Sequence, residues 1–300
     1  MSLIFISVKT NIKIAITLLR KILDAFTMKK IIAFCWGLLM VCGVNAQYRE
    51  DWDTYVNEFS DHLSSVMVDL AFGGSAEARL RPNAIIIRIR VDSIRTNGMP
   101  AENQLKKLNI VEDRLVEQLT GKLQAMYTGR FTKDGKRDFY FYSNDTSNYR
   151  LAIAEVLDPM HISWLAKAQT DTGYSNYFNV LYPGGKQLES MKNRRVVDNL
   201  KEKGDVLTAP RKINHFIFFK TEKDRKEYAF TVQDNGFTVE NAGKEIGVND
   251  RPYTLQISRI DRVDYNSIDK VTLYLWELAV KYSAKYDGWE TFVVKEEGGR

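Results

Sequence analysis

The sequence predicts an α+β protein with two tandem domains, each a ferredoxin-like α/β sandwich with an antiparallel sheet, after an N-terminal signal segment. Three observations support this fold class: a length of 300 residues, two blocks that each mix strand and helix patterns, and a short apolar run near the start. One domain per ~150 residues is the usual expectation. The predicted boundaries are 1–46 for the signal segment, 47–170 for the first domain, 171–186 for a linker and 187–300 for the second domain.

The segment before residue 47 has the three parts of a secretory signal. Met28 is followed by two lysines, residues 31–43 are apolar, and small residues stand at the −3 and −1 positions of a cut before Gln47. The apolar run is shorter than the ~20 residues of a membrane-spanning helix. We expect export, with Met28 as the true start. The alternative for residues 1–27 is an amphipathic segment at a membrane surface, or an anchor.

The charge of the chain becomes balanced once the signal segment is removed. The whole sequence has 43 Lys and Arg residues against 38 Asp and Glu residues. Residues 1–46 hold six of the basic residues and one of the acidic ones, so residues 47–300 carry 37 of each. Proteins that bind nucleic acid present a net basic surface, because phosphate neutralisation supplies most of their affinity. A nucleic-acid partner is therefore not expected, and a membrane is expected only during export.

The first block is predicted to have the element order ββαββαβ. From Ile87 onwards, apolar residues alternate with charged ones, as in a strand with one buried face. Leucines across residues 101–123 follow the 3.6-residue period of a helix, and Asp134-Gly135 between two apolar runs indicates a hairpin. The predicted strands are residues 65–72, 84–91, 127–131, 138–142 and 163–169, and the predicted helices are residues 101–123 and 147–157.

The second block is predicted to begin with a charged helix that Gly204 ends. Thr221 and Asp224 resemble a capping box at the start of the next helix, and Asp287-Gly288 is expected to turn the chain into a last strand. After the first helix the order is βαββαβ, which is the ferredoxin-like plan. The predicted helices are residues 187–203, 221–236 and 267–285, and the predicted strands are residues 214–219, 237–241, 253–263 and 290–295.

Short pieces of the second block carry a family resemblance. The most specific is Tyr286-Asp287-Gly288-Trp289 after a long helix, and others are residues 197–200, 204–205, 213–219 and 236–239. With these pieces, the block resembles the bacterial family of regulators of ribonuclease E activity, type B. The resemblance implies that the block has the fold of that family. It also implies that the block acts by contact with another protein, since the namesake inhibits a cytoplasmic ribonuclease by direct binding. An exported chain would not meet that enzyme, so fold similarity alone does not transfer the target.

The first block resembles a second bacterial family, domain of unknown function 695. The resemblance is carried by Gly98-Met99-Pro100 and by residues 110–115, 129–132 and 137–142. This family sometimes accompanies the regulator-like domain, so the order of the two blocks in one chain strengthens both resemblances. The resemblance implies no activity.

Few residues of the sequence point to catalysis, a cofactor or a metal. Both cysteines lie before residue 47, which excludes disulfides and thiolate sites from residues 47–300. The three histidines, His62, His161 and His215, are far apart and lack metal-ligand spacing. Glu112 and Asp113 are adjacent on a predicted helix, where neighbouring side chains point about 100° apart and do not face one site. We therefore predict no catalytic, cofactor or metal site.

Five residues are candidates for contacts with a partner or ligand. Trp289, Tyr286 and Asp287 belong to the most specific motif, and aromatic residues are frequent at interface hot spots. Packing beneath the last helix is the alternative for Trp289. Tyr142 belongs to a group of tyrosines that either lines a groove between the domains or packs at a sheet rim. His215 is either a buried strand residue or a ligand-contacting one.

The leading hypothesis is a periplasmic or secreted two-domain protein that binds another protein and has no catalytic activity. The first alternative is a small hydrolase or ligand-binding protein with its site between the domains, and it requires His215, Glu112 and Asp287 to converge. The second alternative is a cytoplasmic regulator of ribonuclease E, and it requires an uncleaved signal segment.

Overall fold

The computed structural model describes residues 48–59, 62–245 and 250–296 of the protein. The predicted signal segment, residues 1–46, lies outside these residues. Within the described ranges the chain is an α+β protein with two antiparallel sheets, as the sequence predicts. In these ranges every helix is too short or too polar to serve as a membrane span.

The first domain follows the predicted order of elements with two additions, a strand at the start and a short helix, Ala76–Arg79, before the third strand. The strand at the start was missed because its apolar side chains do not share a face: Tyr55 is half-buried, whereas Val56 is 58% exposed. The elements of this domain are β1 (Trp52–Phe59), β2 (His62–Asp69), α1 (Ala76–Arg79), β3 (Asn83–Arg90), α2 (Glu102–Leu123), β4 (Met126–Lys133), β5 (Lys136–Ser143), α3 (Tyr149–Leu157) and β6 (Trp164–Thr170).

The strands of the first domain form one antiparallel sheet in the order β1-β2-β4-β5-β3-β6. Helices α2 and α3 cover one face, where Ile87, Leu115 and Phe139 belong to a fully buried core. The predicted hairpin is confirmed: Asp134 and Gly135 join β4 to β5, with φ of 49° and 69°. Both positive values are those of a two-residue turn that matches the twist of the strands.

Residues 171–186 were predicted to be a linker, and the structure corrects this for the part before Tyr182. Residues Tyr177–Leu181 form a π-helical turn on the sheet face opposite α2 and α3. Tyr177 and Leu181 are fully buried there, against Val66, Phe72 and other residues of a second core. Asp, Gly, Ser, Asn and Pro in this stretch are typical of a loop, but the burial of two large side chains makes it part of the first domain.

The second domain has the predicted order of helices and strands. Its sheet order is β10-β7-β9-β8, which repeats the order of the last four strands of the first domain, β6-β3-β5-β4. Gly204, with φ of 75°, follows the first helix as predicted, and the Thr221 side chain caps the second. The elements are α4 (Gly185–Glu202), β7 (Arg211–Phe219), α5 (Glu222–Gln233), β8 (Thr238–Lys244), β9 (Tyr253–Asp261), α6 (Tyr265–Lys281) and β10 (Lys285–Glu290).

The predicted end of the second domain needs one correction. Helix α6 ends at Lys281, and the chain turns at Ser283, which has φ of 51°. The Asp287-Gly288 pair is therefore inside β10 and not in a turn before it. Gly288, with φ of 123°, lies where the register of β10 against β7 shifts, so it forms a β-bulge.

Helix α4 of the second domain lies along β1, an edge strand of the first sheet. The Arg194 guanidinium donates to the Thr54 carbonyl over 2.8 Å, and the Gln187 amide donates to Asn57 over 3.0 Å. At the opposite edge, Arg150 of α3 donates to the Ala166 carbonyl of β6 over 2.9 Å. Each edge strand of this sheet therefore has a carbonyl that is hydrogen-bonded to a helix arginine.

Candidate functional site

His215 and Tyr286 lie together in the core of the second domain. The imidazole Nδ1 is 2.9 Å from the Tyr286 hydroxyl, and both residues face the helices from neighbouring strands β7 and β10. His215 is fully buried and its Nε2 has no hydrogen-bond partner among the described residues. Burial, with a smaller effect of Arg259, lowers the pKa of His215 to about 3, so the ring is neutral at physiological pH. These two predicted contact residues are thus core residues.

Trp289 joins the last strand to helix α4. Its indole N–H donates to the Asn193 side chain over 2.8 Å, and the Asn193 amide donates to Asp269 and Thr272 of α6 over 2.6 Å each. The ring is partly buried in a cluster that includes Val197 of α4 and Ile268 of the last helix, α6. Asp287 differs from these residues because it is exposed, and its carboxylate pairs with Lys285 at 2.6 Å.

Tyr142 is corrected from a candidate contact to a core residue of the first domain. It is fully buried, and its hydroxyl donates to Asp171 over 2.7 Å. Burial raises the pKa of Tyr142, and the Asp171 carboxylate raises it further. Its neighbours form an aromatic cluster around Phe72 on the sheet face that residues 171–182 cover. The tyrosines of that cluster are Tyr55, Tyr140, Tyr142, Tyr174, Tyr177 and Tyr182.

The structure does not bring His215, Glu112 and Asp287 into one pocket. Glu112 is buried in the first domain, where its carboxylate accepts from Tyr127 over 2.9 Å and from Arg130. Arg137 lies 3.6 Å from the same carboxylate. Glu112 therefore belongs to a buried ion-pair network between α2 and the sheet. Across residues 48–59, 62–245 and 250–296, no three His, Cys, Asp or Glu side chains are grouped as metal ligands.

The surface that sequence reasoning missed is the sheet face of the second domain that points away from its helices. Helices α5 and α6 cover the odd-numbered side chains of β7, among them Ile217 and Phe219. The even-numbered side chains project to the other side, and Phe216 and Phe218 are only half-buried there. We call this surface the open face. Its residues are Lys212, Asn214, Phe216, Phe218, Thr254, Gln256, Ser258 and Ile260.

The open face has two phenylalanines at its centre and polar pairs around them. Gly288 lies directly opposite Phe216, and nothing lies within 4 Å of where its Cβ would be. The space beside this glycine is therefore open. The polar pairs are Lys212 with Glu240 at 2.8 Å, Ser258 with Glu240 at 2.6 Å and Asn214 with Glu290 at 3.2 Å.

An aromatic centre with a polar rim is the usual composition of a protein-binding surface. A signal for this surface is present in the sequence. Along β7, Asn214, Phe216 and Phe218 alternate with Ile213, His215, Ile217 and Phe219. Two phenylalanines on the side opposite the apolar core are unusual for a strand with one buried face.

Two family models match the chain and confirm the resemblances in the predicted order. The model of a family of unknown function, DUF695, matches residues 50–182. The model named regulator of ribonuclease activity B matches residues 190–291. The residues between the two matches, 183–189, follow the buried turn that ends at Leu181 and include the start of helix α4.

Other comparisons give only distant likenesses. No curated protein matches the chain. The crystal structure of an unknown protein from Galdieria sulphuraria has 7% identity and a TM-score of 0.19, covering 71% of this chain and 99% of its own. The crystal structure of a hypothetical protein has 10% identity and a TM-score of 0.17, covering 83% and 100%. Likenesses at these scores carry no functional information.

Proposed function

We propose that this protein, whose residues 190–291 match the regulators of ribonuclease activity B, regulates another protein by direct contact and without catalysis. The match is the observation that carries the proposal. The family's name describes regulation of a ribonuclease, and in this chain the corresponding domain is joined to residues that match a family of unknown function.

The open face of the second domain is the contact surface in this proposal. Its half-buried phenylalanines, Phe216 and Phe218, supply apolar area that a bound partner would remove from water, and the surrounding polar pairs supply the polar rim. The separation of His215, Glu112 and Asp287 into different surroundings supports binding over hydrolysis. The alternative of an inter-domain hydrolase lacks the convergence of residues that it requires.

We further infer that both domains have ferredoxin-like folds. In the second domain, the order βαββαβ and the sheet order β10-β7-β9-β8 support this assignment. In the first domain, β3 to β6 with α2 and α3 have the same arrangement, and β1 and β2 extend the sheet beyond β4.

Export is also part of the proposal. The cationic start at Met28, the apolar run of residues 31–43 and the small residues before Gln47 support a cleaved signal and a periplasmic or secreted protein. Mass spectrometry of the N-terminus of protein isolated from cells tests this directly. We expect a first residue of Gln47, and protein that retains Cys35 and Cys42 would contradict export.

Affinity capture with a matched pair of variants tests the contact surface. The full-length protein is used as bait on periplasmic and cytoplasmic extracts of its source, beside the double variant Phe216→Ser/Phe218→Ser. Removing two aromatic contacts from the centre of an interface is expected to weaken recovery of a partner about ten-fold or more. Phe230→Ser is the control, because Phe230 is 67% exposed on α5, which covers the other face of the sheet.

The comparison between the two variants decides the proposal. A partner recovered with the wild type and with Phe230→Ser, but not with the open-face variant, is the expected result. Equal recovery by all three proteins, or enrichment of no protein, would contradict contact through the open face.

The second candidate is an intracellular ribonuclease regulator, which the family match favours if the signal segment is retained. A ribonuclease assay with the purified full-length protein tests it, provided that the N-terminus proves to be uncleaved. A dose-dependent change in RNA cleavage, lost in Phe216→Ser/Phe218→Ser, is expected in that case.

A further inference from the structure

Three cations form a row across three neighbouring strands of the first domain. Lys136 of β5 lies directly opposite Arg90 of β3 on one side and opposite Lys133 of β4 on the other. Residues in register on neighbouring strands share a face, so all three side chains project in the same direction. Arg88, two residues before Arg90 on β3, projects from that face as well, and half of its side chain is exposed. We call these four residues the cationic row.

The cationic row occupies the uncovered part of its sheet face. Helices α2 and α3 cover the opposite face, and Tyr177 with Leu181 cover the other half of this one, over Ile86 and Tyr140. The covering layer ends before Arg88. Leu165 of β6, in register with Arg88, is 72% exposed beside the row.

The nearby carboxylates offset the charge only in part. Asp138 accepts from Arg88 in a bidentate pair with two distances of 2.6 Å. Asp134 lies in the turn beside the two lysines, and its carboxylate is 2.5 Å from the His62 ring. Arg90 makes no ion pair or hydrogen bond through its side chain with any described residue. Like charges directly opposite each other destabilise a sheet, and an anionic group bound against Arg90 and Lys136 would reduce that repulsion.

Two concavities adjoin the cationic row. One has a volume of about 410 Å³ and is lined by Arg88, Arg90, Lys136, Trp164 and Leu165 among others. The other has a volume of about 160 Å³ and lies on the far side of Arg88 and Lys136, beside Phe131. The exposed cations and the exposed Leu165 therefore lie side by side on a surface that crosses several strands.

We propose that the cationic row binds an acidic polypeptide segment, with carboxylates against Arg90 and Lys136 and an apolar side chain against Leu165. A polypeptide fits better than a nucleic acid for two reasons. The apolar lining suits amino-acid side chains, and residues 47–300 have no net basic charge to support phosphate binding. The site lies in the first domain and does not depend on the function proposed for the second.

Fluorescence anisotropy with full-length protein and a short labelled peptide of alternating Glu and Val tests the proposal. Neutralising two exposed contacts in Arg90→Gln/Lys136→Gln is expected to weaken binding about five-fold, and added salt is expected to weaken it further. The control is Lys106→Gln/Arg114→Gln, which removes the same charge from exposed positions of α2 on the opposite side of the sheet. This control is expected to bind as the wild type does.

Each result of the measurement supports or overturns the proposal. Absence of binding, equal loss in both double variants, or equal affinity for a peptide of alternating Gln and Val would overturn it. Tighter binding of oligothymidine than of the acidic peptide would overturn the assignment to a polypeptide. Circular dichroism melting of the variants verifies that they fold, so a loss of binding reflects the site.

Discussion

The Asp53 carboxylate of the first domain accepts a hydrogen bond from the Arg195 guanidinium of the second domain over 2.9 Å. Arg194, the preceding residue of α4, donates to the same carboxylate. Only 8% of the Asp53 side chain is exposed, although the two arginines are more accessible. One buried carboxylate thus holds two consecutive arginines and ties β1 to α4.

Replacing Asp53 with Ala is expected to lower the free energy of unfolding by about 1–2 kcal/mol, because hydrogen bonds to charged groups are lost from a buried position. Asp51→Ala is the matched control, since 47% of the Asp51 side chain is exposed where it pairs with Arg195. Its effect is expected to stay below about 0.5 kcal/mol. Urea denaturation measures both, and equal effects would show that Asp53 does not secure the two domains.

The ion pair between Asp205 and Arg211 is completely buried, with exposures of 0% and 1% and a distance of 2.5 Å. Asp205 also accepts from the backbone N–H of Val294 over 2.8 Å. Asp205→Ala leaves the Arg211 charge without its partner, and a loss of about 3–5 kcal/mol in stability is expected. Asp261→Ala breaks the more exposed pair with Arg259 and is expected to cost about 1 kcal/mol or less. Thermal melting that ranks the two variants in the opposite order would refute this account.

The buried His215 predicts a loss of stability in acid. Its pKa is about 3 in the folded protein and ~6.5 when unfolded. Between these values the unfolded chain binds a proton that the folded chain excludes, so stability is complete above ~6.5 and declines as the pH falls toward 3. One such proton changes the free energy of unfolding by ~1.4 kcal/mol per pH unit.

His215→Gln is expected to remove that contribution to the slope in urea denaturation between pH 6 and pH 4. Tyr286→Phe is the control, because it removes the hydrogen bond and keeps the titrating ring. This control should lower stability without flattening the slope. An unchanged slope in His215→Gln would mean that another group accounts for any acid sensitivity.

Two glycines of the first domain are expected to respond to alanine with opposite signs. At Gly129, φ is 146° and an added Cβ would lie 2.2 Å from the Met67 carbonyl oxygen, so Gly129→Ala should destabilise by about 1–3 kcal/mol. At Gly121, in helix α2, nothing lies within 4 Å of an added Cβ. Gly121→Ala should stabilise by about 0.5–1 kcal/mol. Differential scanning calorimetry measures the change in stability of both variants. Equal losses of stability in the two variants would contradict the argument.

The sequence predicted elements whose signals are local. The period of helix α2, the Asp134-Gly135 hairpin and the Thr221 cap depend on residues within a few positions, and all three are confirmed. Strand β1 was missed because an edge strand buries little, and Val56 projects into solvent. The turn at Tyr177–Leu181 was missed because its burial depends on a sheet face formed by residues about a hundred positions earlier.

The candidate sites could be located only from the register of the paired strands. His215 and Tyr286 were singled out by type and motif, and the structure places both inside a core. The alternation along β7 indicates Phe216 and Phe218, but the rest of the open face depends on the pairing of β7 with β9 and β10, which places Gly288 opposite Phe216. The cationic row joins Arg90 to Lys136, which no spacing rule connects, because antiparallel pairing of β3 and β5 brings them together.

The arginines at the two margins of the larger sheet have a consequence for how the molecule behaves in concentrated solution. Arg194 donates a hydrogen bond to the Thr54 carbonyl at one edge of the sheet, and Arg150 donates to the Ala166 carbonyl at the other. A neighbouring chain that tried to continue the sheet would have to displace a cation from its acceptor at either end. Edge strands with an occupied carbonyl are less able to pair with strands of other molecules, which is the step by which exposed edge strands start to aggregate.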